Sequence, residues 1–314
     1  MKHNLTLPAL EERFLPPEHW ETKDFVNPKT NHHIFYRTAK VENPKGLIFC
    51  LPGLSEFGEK YIETAHFFNS HGYDIVIIDW SYQGFSTRFA NNPHKRHSDG
   101  YDSDISDLHQ LITLEKNENL PYYMFGHSMG GHIGLKFLSQ YPEIFKAAAF
   151  SAPMLNIKAA KYIFHLTSLA APLLKLCHDK YILGGHDWKE SVRNKQSDVF
   201  SNDPVRRHIH NQWCLSNPTL QVGSPTYTWL YESLKSIISL RRKQTLRAIK
   251  IPIIMACAGQ EELVDNDTIK RAVRILSNAT LINLKQSKHE ILVETNEVRD
   301  PLLNATLELF NQSN

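Results

Sequence analysis

The chain of 314 residues carries 22% charged and 41% hydrophobic side chains and a formal charge of +2 with histidine neutral, the balance of an ordinary globular protein large enough to bury a sizeable core. Its densest basic clusters are only Lys95-Arg96 and Arg241-Arg242-Lys243, which excludes an electrostatic footprint for nucleic acid. The four cysteines, Cys50, Cys177, Cys214 and Cys257, form no CxxC pair and no metal-like spacing with histidine, so neither a disulfide framework nor a metal site is expected.

The N-terminal stretch, Met1-Lys2-His3-Asn4-Leu5 followed by Glu11 and Glu12, has no apolar signal core. No run reaches the ~18 apolar residues that span a bilayer. The nearest, Tyr162 to Cys177, is broken by His165, Thr167, Ser168, Pro172 and Lys175. The expectation is a cytoplasmic, soluble protein whose peripheral contact with a membrane stays open.

In chain order, the first apolar run is Leu47 to Leu51, which ends at Pro52-Gly53. Tyr61 to Ser70 then sets Ile62, Ala65 and Phe68 on one helical side, with Gly72 to terminate it. Ile75 to Ile78 ends at Asp79, and Ile105, Leu108 and Ile112 form the next helical stripe. Tyr122 to Phe125 ends at Gly126, and the pattern from Met129 to Tyr141 turns helical through Ile133, Phe137 and Leu138. Ala147 to Phe150 ends at Ser151. Short continuous apolar runs alternating with helices predict a mostly parallel α/β sheet, doubly wound, whose strands are buried on both faces.

The alternation stops from Pro153 to Lys243, a stretch rich in His, Asn, Pro and Trp. It resumes with Ile251 to Ala258 and Leu281 to Leu284. One core domain, residues 1–152 and 244–314, interrupted by an inserted and largely helical cap, residues 153–243, accounts for the pattern. Ligands of such sheets bind at the carboxyl ends of the strands.

Chemistry concentrates at those ends. Gly126-His127-Ser128-Met129-Gly130 fits G-x-S-x-G, between a predicted strand and a predicted helix. The flanking glycines allow the sharp turn that lifts the Ser128 hydroxyl into the cleft, with a helix N-terminus behind it. A serine nucleophile needs a general base. In this arrangement the base follows the last strand, where His289 is the only histidine after His210. The acid that orients it belongs after the strand ending at Ala258. Glu261 is favoured there; Asp265, a natural helix N-cap, and Glu262 are the alternatives. His127 is expected to pack inside the elbow. The tetrahedral intermediate needs two backbone donors, for which the amides of Met129 and Leu54 stand in the right places.

Together these segments resemble the lysophospholipase and monoacylglycerol lipase group of α/β-hydrolases. The resemblance runs from about Thr22 to the C-terminus. It is carried by Pro52-Gly53-Leu54-Ser55-Glu56 with Lys60-Tyr61, by Asp79 to Ser86, by Gly126 to Gly131, and by Ser151-Ala152-Pro153-Met154. It continues through Asn217-Pro218-Thr219, Gly223 to Trp229, Lys288 to Leu292 and Glu294. Ser81 and Tyr82 replace an arginine and a glycine common in that group, and Pro52 replaces a frequent histidine. The resemblance implies an α/β-hydrolase fold and hydrolysis of a single-chain lipid ester, lysophospholipid or monoacylglycerol, through an acyl-enzyme on Ser128. It implies neither a metal nor an organic cofactor. The cap stripe Tyr162-Ile163-Phe164, Leu166 and Leu169 to Leu174 serves either to pack the cap or to line an acyl channel and touch a membrane. A short-chain esterase, a thioesterase or an acyltransferase would use the same residues; a non-catalytic binding protein on this scaffold is the remaining alternative.

Overall fold

The computed structural model describes residues 5–158, 177–192 and 199–313; the apolar cap stripe from Tyr162 to Leu174 lies outside them. Eight strands form one sheet in the order β1-β2-β4-β3-β5-β6-β7-β8. Its centre is the parallel set β3 (Leu47–Leu51), β4 (Asp74–Ile78), β5 (Tyr122–His127), β6 (Ala147–Ser151), β7 (Ile253–Ala258) and β8 (Ala279–Leu284). These are the six runs expected from the sequence. β7 starts two residues late, because Pro252 has no amide to give to the ladder.

Two further strands lie outside these runs: β1 (Trp20–Val26) and β2 (His33–Ala39). They form an antiparallel hairpin, and β2 joins the sheet antiparallel to β4. β1 is an edge strand with four of its seven residues exposed, and β2 buries Arg37 and Thr38 among its apolar residues. Neither shows the continuous apolar run of a central strand.

Helices cover both faces. α1 (Ile62–Ser70) and the C-terminal α8 (Asn296–Gln312) share one face, where Phe310 stacks on Tyr123 at 4.5 Å between ring centres and on Phe68 at 6.2 Å. α2 (Tyr101–Leu114), α3 (Ser128–Gln140) and α6 (Lys243–Ala248) lie on the other. Successive residues of β5 show the period-2 alternation: Phe125 meets Phe68 of α1, whereas Met124 faces Gly134 of α3.

Between β6 and α6 come α4 (Arg206–Ser216) and α5 (Tyr227–Leu240), with α7 (Asn266–Ile275) joining β7 to β8. Thr226 caps α5 by accepting from the Trp229 amide. α5 lies on the core helices, where the Tyr101 hydroxyl meets Ser233 and His132 meets Ser236, both at 2.8 Å. α4 packs Ile209, Trp213 and Cys214 into a smaller apolar cluster with Phe14, Phe57 and Ile62. No helix among the described residues is long and apolar enough to cross a membrane.

Candidate active site

The registers bring the carboxyl ends of β3, β5, β6 and β7 level: Leu51 pairs with Gly126, His127 with Ser151, and Ser151 with Ala256. Ser128 stands immediately after β5 with φ +49°, in the left-handed region. A serine held there carries backbone strain, which persists only where the surroundings dictate it. Here the glycines do so. A Cβ at Gly130 would fall 2.0 Å from the Leu51 carbonyl oxygen, and one at Gly131 would fall 2.9 Å from the Pro153 Cβ. The first turn of α3 therefore presses directly against the end of β3.

His289 reaches this serine from the loop after β8. Its Nε2 lies 2.9 Å from the Ser128 Oγ, and its Nδ1 lies 2.8 Å and 3.0 Å from the two oxygens of Glu261. A proton on Nδ1 serves the carboxylate and leaves Nε2 free to accept from the serine hydroxyl. The Leu263 and Val264 amides also donate to Glu261. Burial works to raise the Glu261 carboxyl, but the imidazole and these amides outweigh it and hold it below the ordinary glutamate value.

The two alternative acids are engaged elsewhere or point away. Asp265 caps α7, accepting from the Asp267 amide, the Thr268 hydroxyl and the Asn156 side chain. Glu262 is exposed. His127 packs beneath the site with Nδ1 3.1 Å from the Ser151 carbonyl oxygen; burial pushes its pKa down to about 4, so it stays neutral.

The loop after β3 supplies the other side. The Gly53 amide donates to Glu56 and the Ser55 amide to Gln83. Between them the Leu54 amide has no acceptor among the described residues, and Leu54 and Ser128 line the same cavity. The Met129 amide, in the first turn of α3, has no intrahelical carbonyl to bond.

Several residues of the site carried no readable chemical signal. Lys60 bridges Glu56 at 2.5 Å and Glu290 at 2.7 Å, all three buried directly behind the site. Burial alone would raise the Glu56 carboxyl, yet Lys60 holds it below its usual value. Glu294 is fully buried and accepts from the amides of Lys288 and Asn202, which ties the histidine loop to the segment before α4. Glu56, Lys60 and Glu294 stood within resembling segments, but only the fold reveals what they hold. Tyr82, at the position of the group's glycine, keeps the left-handed backbone with φ +68° and fixes its hydroxyl on Asp99 at 2.6 Å.

The cavity over Ser128 has a volume of about 360 Å³. Its wall is mainly apolar, with Met154, Ile157, Trp188, Val222, Trp229 and Leu263 among the lining residues. His186 and Lys189 also line it. Among the described residues no group of three or more His, Cys, Asp and Glu is arranged to hold a metal ion.

The sheet order, the strained serine at the β5–α3 turn and the cavity above it make this protein an α/β-hydrolase. The sequence matches the family described as "Serine aminopeptidase, S33" over residues 42–296, and the chain belongs to that family. Its relatives include lysophospholipase L2 of Escherichia coli K12, 28% identical over 295 residues, covering 89% of this chain and 84% of the relative. Mouse monoglyceride lipase is 28% identical over 166 residues, covering 52% of each chain. The resemblance read from the elbow and the histidine loop therefore holds. Among solved structures, a soluble variant of the Saccharomyces cerevisiae monoglyceride lipase superposes with a TM-score of 0.75 at 15% identity, covering 98% of this chain and 99% of the other. A Bacillus coagulans carboxyl esterase gives the same TM-score at 17% identity, covering 94% and 99%. At such identity the likeness speaks for the fold.

Proposed function

We propose that this protein is a carboxylic ester hydrolase that releases the fatty acid of a single-chain lipid, lysophospholipid or monoacylglycerol, through an acyl-enzyme on Ser128. The observation that carries the reading is the unbroken chain Ser128 Oγ to His289 Nε2, His289 Nδ1 to Glu261, beneath an apolar cavity. In this reading the Ser128 proton passes to His289 Nε2 as Oγ attacks the ester carbonyl. Glu261 keeps the imidazole in the required tautomer and stabilises its cation. The Leu54 and Met129 amides hold the oxyanion. The alcohol leaves with the proton from His289, and a water activated by the same imidazole releases the acid and restores the Ser128 hydroxyl. Residues 153–243 act as the cap that shapes the acyl-binding wall, contributing Met154, Ile157, Trp188, Val222 and Trp229.

Lys189 favours a phosphate-bearing headgroup over plain glycerol. It lines the cavity, is exposed, and pairs with no carboxylate among the described residues. The names of the bacterial relatives, lysophospholipase L2 in Escherichia coli and probable lysophospholipase L2 in Haemophilus influenzae, support the same choice. The family description supports a second reading, an aminopeptidase. Such an enzyme needs a carboxylate for the substrate's ammonium, and the two glutamates that line the cavity among the described residues, Glu56 and Glu290, are both bound to Lys60. Ester hydrolysis is therefore the better fit.

The test is fatty-acid release from lysophosphatidylcholine and from monoacylglycerol, with an aminoacyl anilide alongside. Release from the lipids that vanishes in Ser128→Ala is expected. Lys189→Gln should raise KM for the lysophospholipid about two- to fivefold, the worth of one exposed ion pair, and leave monoacylglycerol unchanged. Cleavage of the anilide alone would replace the lipid reading with the aminopeptidase.

A further inference from the structure

We propose that Gln83 is a positioning residue that aims the oxyanion hole, its side-chain amide fixing both peptide planes that flank Leu54. The inference rests on the reading of Ser128 as nucleophile and Leu54 as an oxyanion donor.

Gln83 sits in the turn after β4 and is fully buried. Its Nε2 donates to the carbonyl oxygens of Gly53 at 2.9 Å and Glu56 at 2.8 Å. Its Oε1 accepts from the Ser55 amide at 3.1 Å and from Arg96 Nε at 2.9 Å. Both amide protons and both lone pairs are thus engaged. The orientation of the amide is dictated by its neighbours. A guanidinium only donates, so the oxygen must face Arg96 and the nitrogen the two carbonyls.

The geometry of the peptide bond makes this clamp directional. The Gly53 carbonyl and the Leu54 N–H belong to one planar trans peptide and point opposite ways. A donor holding the Gly53 oxygen on the inner side therefore turns the Leu54 N–H outward, toward the cavity that Leu54 shares with Ser128. The acceptor on the Ser55 amide fixes the next plane, across which Ser55 takes the left-handed value φ +59°. A backbone strained at that residue would relax and swing the Leu54 amide away if nothing held it on both sides. Arg96 extends the device to the second donor. It is buried, it holds Gln83 through Nε, and its Nη2 lies 3.5 Å from the Sδ of Met129.

Hydrogen bonds that preorganise an oxyanion hole act on the transition state, where charge has developed, and little on ground-state binding. The experiment compares wild type with Gln83→Met, which keeps the length and apolar volume but loses all four bonds, and with Arg96→Lys, which removes the Nε donor. The assays are steady-state hydrolysis of the lysophospholipid, inhibition by a long-chain trifluoromethyl ketone that forms an oxyanion on the serine, and thermal melting. Gln83→Met is expected to lower kcat about 10- to 100-fold with KM within about twofold, and to weaken the ketone in proportion. Arg96→Lys should give a smaller fall in the same two quantities. An unchanged kcat and ketone affinity despite a lowered melting temperature would make Gln83 purely structural and overturn the proposal. So would a rise in KM alone. If Gln83→Met fails to fold, Arg96→Lys decides by the same split. Wild type that hydrolyses no ester would instead sink the reading of the site itself.

Discussion

At the scale of single residues, the proposed function rests on a few atoms held within 3 Å of each other. Glu261 and Asp265 stand four positions apart on one loop, yet their surroundings assign them different work. Glu261 faces His289 Nδ1, while Asp265 closes the first turn of α7. Glu261→Gln is therefore expected to lower kcat by about 10³- to 10⁴-fold with KM little changed, since the amide would favour the wrong imidazole tautomer. Asp265→Ala should cost about 1 kcal/mol in thermal stability as a lost cap, and leave kcat near wild type. Kinetics and melting of the two variants check both statements. The serine and the histidine were legible because one lies in a glycine-marked turn and the other is the last histidine in the chain. The acid was harder, since three carboxylates share the loop and only the side-chain directions separate them. Gln83, Glu56 and Lys60 were not legible as parts of the site. A buried glutamine clamping a backbone looks in sequence like any turn residue.

At the scale of elements, the six central strands were readable because burial on both faces leaves continuous apolar runs. The β1–β2 hairpin was not. It buries charged and polar groups such as Arg37 and His32, whose partners come together only on folding, and its turn depends on one such network. His32 lies 2.8 Å from Asp99 through Nε2 and 3.2 Å from Asp107 through Nδ1, with Ser81 2.6 Å from the same Nδ1. Burial alone would lower the His32 pKa, but the two carboxylates raise it to about 9 from 6.5. A raised folded-state pKa contributes stability that is complete below the unfolded value and disappears as pH climbs through the folded one. The melting temperature should thus decline between about pH 6.5 and 9, and His32→Gln should flatten that slope. An equal slope in the variant would place the titration elsewhere. The α4 and α5 helices were expected only as a helical insertion. α5 buries an apolar stripe of Trp229, Leu234, Ile237 and Leu240, but such a stripe does not name its partner; the serine contacts to Tyr101 and His132 that set it on α2 and α3 exist only in the fold.

At the scale of the whole molecule, the sheet is a frame that brings four strand ends level, and helices cover its two faces. Phe310, on the last helix, is fully buried between Phe68 and Tyr123. Its truncation to alanine should destabilise the fold by about 3–5 kcal/mol, seen as a shifted denaturation midpoint, with the kcat of the remaining folded protein unaltered. The nucleophile proposed for this fold, Ser128, can be trapped. The wild-type protein is treated with a long-chain fluorophosphonate and digested, and the modified peptide is identified by mass. A single adduct on Ser128, absent in Ser128→Ala and strongly slowed in a His289→Gln variant, is the expected result. No adduct, or an adduct on another residue with Ser128 untouched, would contradict the assignment of this serine as the nucleophile.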